Sequence, residues 1–263
     1  QVVEAARARN VDVAADMYVY TAGGTGLEAT VPAWAAEGGT DSLKKRLRDP
    51  AIRARLKREL QTGSPGWWNI IEAAGGWDGV VLANPANPAN MKYVGKNLTQ
   101  IAREMGKEPA DAAWDLVIDG TSRVTAIYHM MSEPDIEKAL RFPWTSIGSD
   151  AGAAVEPGRD DGVLSHPRSY GNATRVISRY VRDRKAITLE EGIRKQTSWP
   201  ATRMKLAGRG SIKEGNWADV TIFDPATVVD NASSDGSAEA LVESFPDLRL
   251  IHLYNDHQIS CFL

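Results

Sequence analysis

Thr145-Ser-Ile-Gly148-Ser-Asp150 is a mostly uncharged run that stops on a carboxylate close to a glycine. A strand ending this way holds Asp150 at its C-terminal tip, the edge from which barrel folds present their reacting groups. Downstream, His166-Pro167-Arg168 and then Tyr170-Gly171 place an imidazole and a guanidinium on the loop that follows. A carboxylate at a strand tip with such groups beside it is suited to general-base chemistry. The plainer reading is a strand end closed by an Asp-Ala-Gly turn.

Working outward from Asp150, Val124-Thr-Ala-Ile-Tyr128 reads as the preceding strand and leads into His129. Ser132-x-Pro-Asp135 opens the helix between the two strands. Further upstream, Gly79-Val-Val-Leu-Ala83 is a short apolar strand, and helices follow from Thr99 and from Pro109. Residues 41–61 form one charged amphipathic helix with Leu43, Leu47, Ile52, Leu56 and Leu60 at helical spacing. Val11–Tyr18 reads as a buried strand. Thr21-Ala-Gly-Gly-Thr-Gly26 reads as a glycine-rich loop that lacks the spacing of a dinucleotide fingerprint. Downstream, residues 171–184 and 188–198 are helices, the second with Thr188 and Glu191 as a capping box. Strands alternating with helices to residue 200 predict an α/β fold with parallel strands, too few for the eight of a closed barrel. After residue 206 the texture changes to short strands and turns. That division separates residues 1–206, a barrel portion, from residues 207–263, part of a small β-domain with a tail in which Leu248–Asp256 reads as one more strand.

The chain has 263 residues, 43% hydrophobic and 25% charged, in the ordinary range for globular proteins. A net charge of −3 argues against a basic nucleic-acid-binding surface. No apolar run reaches the ~18 residues of a membrane helix. Cys261 is alone, so no internal disulfide is expected, which fits a reducing compartment and a cytoplasmic location. Gln1-Val-Val-Glu-Ala-Ala-Arg reads as a helix rather than a leader, and a chain starting in mid-helix without Met predicts a missing N-terminal portion.

Histidine is scarce. His129 and His166 sit where strands give way to loops: His129 is a candidate metal ligand or substrate contact, or a hydrogen-bonded structural residue, and His166 lines the site or belongs to a His-Pro turn. His252 and His257 lie in the tail and read as structural. Arg168 offers the planar fork that binds carboxylates, or is a surface residue at a helix entrance. Asp16 either joins the site or caps a loop, and Trp34 is placed near a substrate pocket.

Four segments together resemble the N-acyl-D-amino-acid deacylases of the amidohydrolase superfamily: Asp16-Met-Tyr18-Val-Tyr20-Thr-Ala-Gly-Gly-Thr25, Gly148-Ser-Asp150, His166-Pro-Arg168-x-Tyr-Gly171, and Gly210-x-Ile-x-x-Gly215-x-x-Ala218-Asp219-Val-x-Ile-Phe-Asp224-Pro. The resemblance implies the later strands of a TIM-like (β/α)8 metal-dependent hydrolase barrel plus part of a small β-domain. It implies zinc, a small N-acyl-amino-acid substrate, and hydrolysis of its amide by a metal-activated water. Asp150 matches the aspartate that relays the proton, and Arg168 the arginine that pairs with the α-carboxylate. His166 and Tyr20 are carried over as substrate-binding. The family's His-x-His pair is absent from this chain, Cys261 is not at the family's cysteine position, and Tyr18 aligns where the family has a histidine ligand. His129 is the nearest substitute ligand, and the other ligands are expected from a missing N-terminal half. Two rival expectations are a cyclic-amide hydrolase of the hydantoinase or dihydroorotase kind, and a non-catalytic barrel remnant.

Overall fold

The computed structural model of the chain describes residues 2–151 and 164–228. Among them the strands are β1 (Ala15–Met17), β2 (Gly23–Gly26), β3 (Val80–Asn84), β4 (Thr125–Tyr128) and β5 (Thr145–Ile147). They form two sheets, β1 beside β5 and β2-β4-β3. The chain separates into two compact units: Gln1–Tyr20 with Glu133–Pro157 and Pro167–Leu263, and Thr21–Ser132 with Gly158–His166.

The first unit holds the parallel pair. Ala15, Asp16 and Met17 lie opposite Thr145, Ser146 and Ile147, and the Gly148 N–H extends the ladder to the Met17 carbonyl at 3.0 Å. Parallel strands need a crossover between them, and helix Glu133–Leu140 precedes β5. Its Ile136 and Leu140 meet Val19, Ile147, Val176, Ile177 and Tyr180 in one buried cluster. Helix Leu189–Gln196 closes this core. Thr188 caps it, accepting from the Glu191 N–H at 3.2 Å, but the Glu191 carboxylate turns to Arg194 instead of completing the expected box. The fully buried Lys195 donates to the Thr145 carbonyl at 2.9 Å and to Phe142, fixing the helix to the start of β5.

The second unit corrects several expectations. β4 was expected as one more parallel barrel strand; it is the centre of an antiparallel sheet, with Thr125 opposite Gly26 and Tyr128 opposite both Gly23 and Val80. Its alternating burial is the period-2 pattern that any half-buried strand shows, so the pattern does not encode the direction of its neighbours. The supposed glycine loop supplies β2, because main-chain pairing to β4 outweighs the low strand preference of glycine. The single helix expected over 41–61 is two, Gly39–Leu47 and Pro50–Thr62. Proline bars the residue before it from helical geometry, so Asp49 is extended and its carboxylate caps the second helix through the Ala51 N–H at 2.8 Å. Leu43, Leu47 and Leu56 are buried with Trp114, Leu116, Leu82 and Tyr128 in the core of this unit.

Residues 208–228 were expected to hold short strands. Among the described residues they hold turns and unpaired extended chain, with Ile212 91% and Ile222 94% exposed. An extended segment without a neighbour has no ladder to make it a strand. The tail expectations, including His252, His257, Cys261 and the strand at Leu248–Asp256, lie outside the described residues. No described helix is long and apolar enough to cross a membrane.

Candidate active site

The pair expected from sequence is assembled in the first unit. Asp150 follows β5 with φ at +47°, the left-handed region that costs a non-glycine residue about 1–2 kcal/mol. Strain of this kind persists only where surrounding bonds fix the residue. Arg168 provides them: its Nη2 lies 2.9 Å from Asp150 Oδ2, and its Nε donates to the Asp150 carbonyl at 3.1 Å. The Arg168 side chain is 9% exposed, whereas that of Asp150 is 70% exposed. The guanidinium is thus fixed within the protein and the carboxylate reaches outward from it.

Arg168 begins helix Arg168–Arg175, which continues as a π-type helix over Val176–Asp183. Positions 168, 172 and 175 share one helical face. Each meets the chain leaving β1, at Tyr18, at Val19, and at Val19 and Tyr20 respectively. The Arg168 guanidinium stacks over the Tyr18 ring at 4.6 Å. The buried Asn172 accepts from the Val19 N–H at 2.9 Å, and its Nδ2 donates to the Gly148 carbonyl. The Arg175 guanidinium stacks over Tyr20 at 4.6 Å, and its Nε donates to the Val19 carbonyl at 2.9 Å. After Met17 the strand therefore passes its main-chain groups from β5 to helix side chains.

Glu133 holds the far end of this face. It accepts from Arg179 Nη2 at 2.6 Å and from the Tyr180 hydroxyl at 2.8 Å, with Arg175 Nη2 at 3.8 Å. Burial alone would raise its carboxyl, but the bonds from Arg179 and Tyr180 outweigh burial and hold it below its usual range. Burial, then the bond to Glu133, pushes the Tyr180 phenol up to about 12.

Tyr20 is 6% exposed, so its ring packs under Arg175, while Tyr18 is half-buried beside the pair. His166 belongs to the second unit, buried, with Nε2 2.7 Å from the Ala22 carbonyl and its ring against Gly24. A carbonyl only accepts, so Nε2 carries the hydrogen. His129 follows β4 in the same unit with its side chain exposed, and its main-chain N–H donates to the Gly79 carbonyl at 2.9 Å. Trp34, placed near a pocket from sequence, donates its indole N–H to Glu59 at 2.8 Å beneath Arg55. Asp16 is exposed, its carboxylate packed over Gly148. Among the described residues no three His, Cys, Asp or Glu side chains are grouped so as to hold a metal ion.

The profile of the amidohydrolase family matches residues 104–242, just over half of the chain and including Asp150 and Arg168. The chain belongs to the amidohydrolase family. Within it, the relatives are N-acyl-D-amino-acid deacylases. A D-aminoacylase of Alcaligenes xylosoxydans xylosoxydans is 39% identical over 145 residues, 55% of this chain and 28% of that protein. An N-acyl-D-glutamate deacylase of the same organism is 37% identical over 141 residues, 54% of this chain and 26% of that protein. The crystal structure of an N-acyl-D-glutamate deacylase from Bordetella bronchiseptica, complexed with zinc and a phosphonate that mimics the tetrahedral intermediate, superposes with a TM-score of 0.62 at 27% identity, over 90% of this chain and 38% of that one. A D-aminoacylase structure with a binuclear metal centre gives 0.58 at 30% identity, over 88% of this chain and 37% of that one. The α/β fold of this chain is thus that of amidohydrolase barrel enzymes. The chain spans about a quarter of the length of the curated relatives it matches.

Sequence reading missed Asn172, Arg175 and Glu133 as part of the site. The signal for the first two was their spacing from Arg168, at i+4 and i+7 on a helix whose first residue had already been singled out.

Proposed function

We propose that the full-length protein is a zinc-dependent deacylase that hydrolyses N-acyl-D-amino acids to a carboxylate and a free amino acid. The observation that carries this reading is the contact between Asp150 and Arg168. In an N-acyl-amino acid a single Cα separates the α-carboxylate from the amide nitrogen. A base for the amide and a cation for the carboxylate must therefore lie side by side, as the 2.9 Å pair does. Arg168 binds the α-carboxylate. Asp150 accepts the proton of the attacking water and returns it to the departing amine nitrogen, so that the C–N bond breaks with a neutral amine leaving. Tyr20, whose ring lies under the Arg175 guanidinium, is assigned to substrate binding, and His166 of the second unit is likewise proposed as a substrate contact.

The described residues do not by themselves fit a zinc ion, which takes three or four protein donors. His129 offers one exposed imidazole, and the other donors would come from outside the described residues. The relatives support the substrate class: two deacylases of D-amino acids at 39% and 37% identity match this chain.

The test is to express the full-length protein with zinc and supply paired N-acetyl-D- and N-acetyl-L-amino acids, scoring free amine release. The reading expects turnover of D substrates and at least a tenfold preference over L. Turnover of hydantoins without turnover of any N-acetyl-amino acid would replace it with the cyclic-amide reading, and a protein inactive on both would end it.

A further inference from the structure

We propose that Asn172 is a positioning residue for Asp150, acting by joining the ends of the two parallel strands. This rests on the role given to Asp150 above. β1 and β5 stop pairing at Met17 and Gly148, where the Gly148 N–H reaches the Met17 carbonyl. Asp150 lies just past that point in a strained conformation. One carboxamide takes over there. Its Oδ1 accepts from the Val19 N–H at 2.9 Å, and its Nδ2 donates to the Gly148 carbonyl.

The chemistry of this bridge needs an amide. Asn172 must accept from one strand and donate to the other at once, with 4% exposure and hence little water to substitute for either bond. Aspartate can accept but would set a carboxylate against the Gly148 carbonyl. Leucine fills the space and makes neither bond. Among the described residues no other side chain bonds to the Gly148 carbonyl. The Val19 carbonyl, by contrast, has both Arg175 and Tyr180. Among the described residues no hydrogen bond joins Asn172 to Asp150. Asn172 fixes the Gly148–Ser149 peptide, two residues ahead of Asp150, and a misplacement of about 1 Å at a reacting group can cost about 100-fold in rate.

Purified full-length, zinc-loaded enzyme is compared as wild type, Asn172→Leu, Asn172→Asp, Asp150→Asn and the double variant Asn172→Leu/Asp150→Asn. With the best N-acetyl-D-amino acid, both single changes at Asn172 should lower kcat by about 10- to 100-fold with KM within about threefold, because Arg168 still binds the carboxylate. In the Asp150→Asn background Asn172→Leu should cost no further activity, since residues acting through one group are not additive. Hydrogen exchange adds a readout independent of turnover: peptides covering residues 17–20 should exchange faster in Asn172→Leu. Full kcat in a folded Asn172→Leu protein would overturn the proposal, as would a loss that multiplies with that of Asp150→Asn. Faster exchange at 17–20 in Asn172→Leu, together with a wild-type protein that hydrolyses no acyl-amino acid, would retain the bridge and refute its catalytic role along with the deacylase reading.

Discussion

Replacing Arg168 with lysine keeps the positive charge and removes the geometry. The guanidinium is a planar fork that lies over Tyr18 at 4.6 Å while two of its nitrogens reach Asp150, at 2.9 and 3.1 Å. An ammonium is a point charge without a stacking plane, so it keeps one contact and loses the other and the ring. A hydrogen bond to a charged group contributes about 1.5–3 kcal/mol, and stacking of a cation on an aromatic ring about 0.5–1 kcal/mol. The ring contact is lost from free and bound protein alike, so a substrate carboxylate held by the same fork should bind about 1.5–3 kcal/mol more weakly, which is about 10- to 150-fold. Steady-state kinetics of full-length Arg168→Lys on an N-acetyl-D-amino acid should show this as a higher KM. An analogue carrying a carboxamide in place of the α-carboxylate should bind both proteins weakly and about equally. A KM unchanged within threefold, with the loss confined to kcat, would refute the clamp and leave Arg168 only as the holder of Asp150.

Glu133→Gln removes a charge that Arg179 and Tyr180 surround. It should lower stability at neutral pH by about 1–2 kcal/mol, a figure reduced because Arg179 is partly exposed. The folded carboxyl sits below its ordinary 4.5, so its contribution is full above that value and is lost as pH falls through the depressed one. Urea midpoints measured from neutral pH down to pH 3 should fall more steeply for wild type than for Glu133→Gln; parallel curves would contradict the assignment. Trp114→Ala empties the centre of the core of the second unit, where the side chain is fully buried, and should cost about 3–5 kcal/mol by denaturant titration. Among the described residues its indole nitrogen has no hydrogen-bond partner, so the loss is one of packing, and a smaller loss would mean that the site collapses around the cavity. Asp49→Ala removes the cap of helix Pro50–Thr62 and should cost about 1 kcal/mol, with Asp49→Asn recovering most of it.

The β5 strand and the contact between Asp150 and Arg168 were legible in the sequence because each relied on a local signal, whereas the buried strand expected over Val11–Tyr18 is only Ala15–Met17, with Ala15 and Asp16 exposed. Thr145–Ile147 is short and half-apolar, and a glycine and a carboxylate follow it. The second unit was less legible. The period-2 alternation in Thr125–Tyr128 reports a half-buried strand, but strand direction depends on partners distant in sequence: Gly23–Gly26, whose glycines do not signal a strand, and Val80–Asn84. The break at Asp49-Pro50 was available from the restriction that proline imposes on its predecessor, and the leucine spacing on both sides obscured it. At the site, Asp150 and Arg168 carried charge and stood out. Asn172 did not, because its role arises from two main-chain groups that only the packed strands bring within reach of one carboxamide.

The most direct test is a crystal structure of the full-length Asp150→Asn variant, zinc-loaded and soaked with an N-acetyl-D-amino acid. The account predicts the α-carboxylate on the Arg168 guanidinium at about 2.7–2.9 Å, with the scissile amide beside residue 150, within about 3.5 Å. A substrate bound with its carboxylate elsewhere, or with its amide turned away from residue 150, would contradict it.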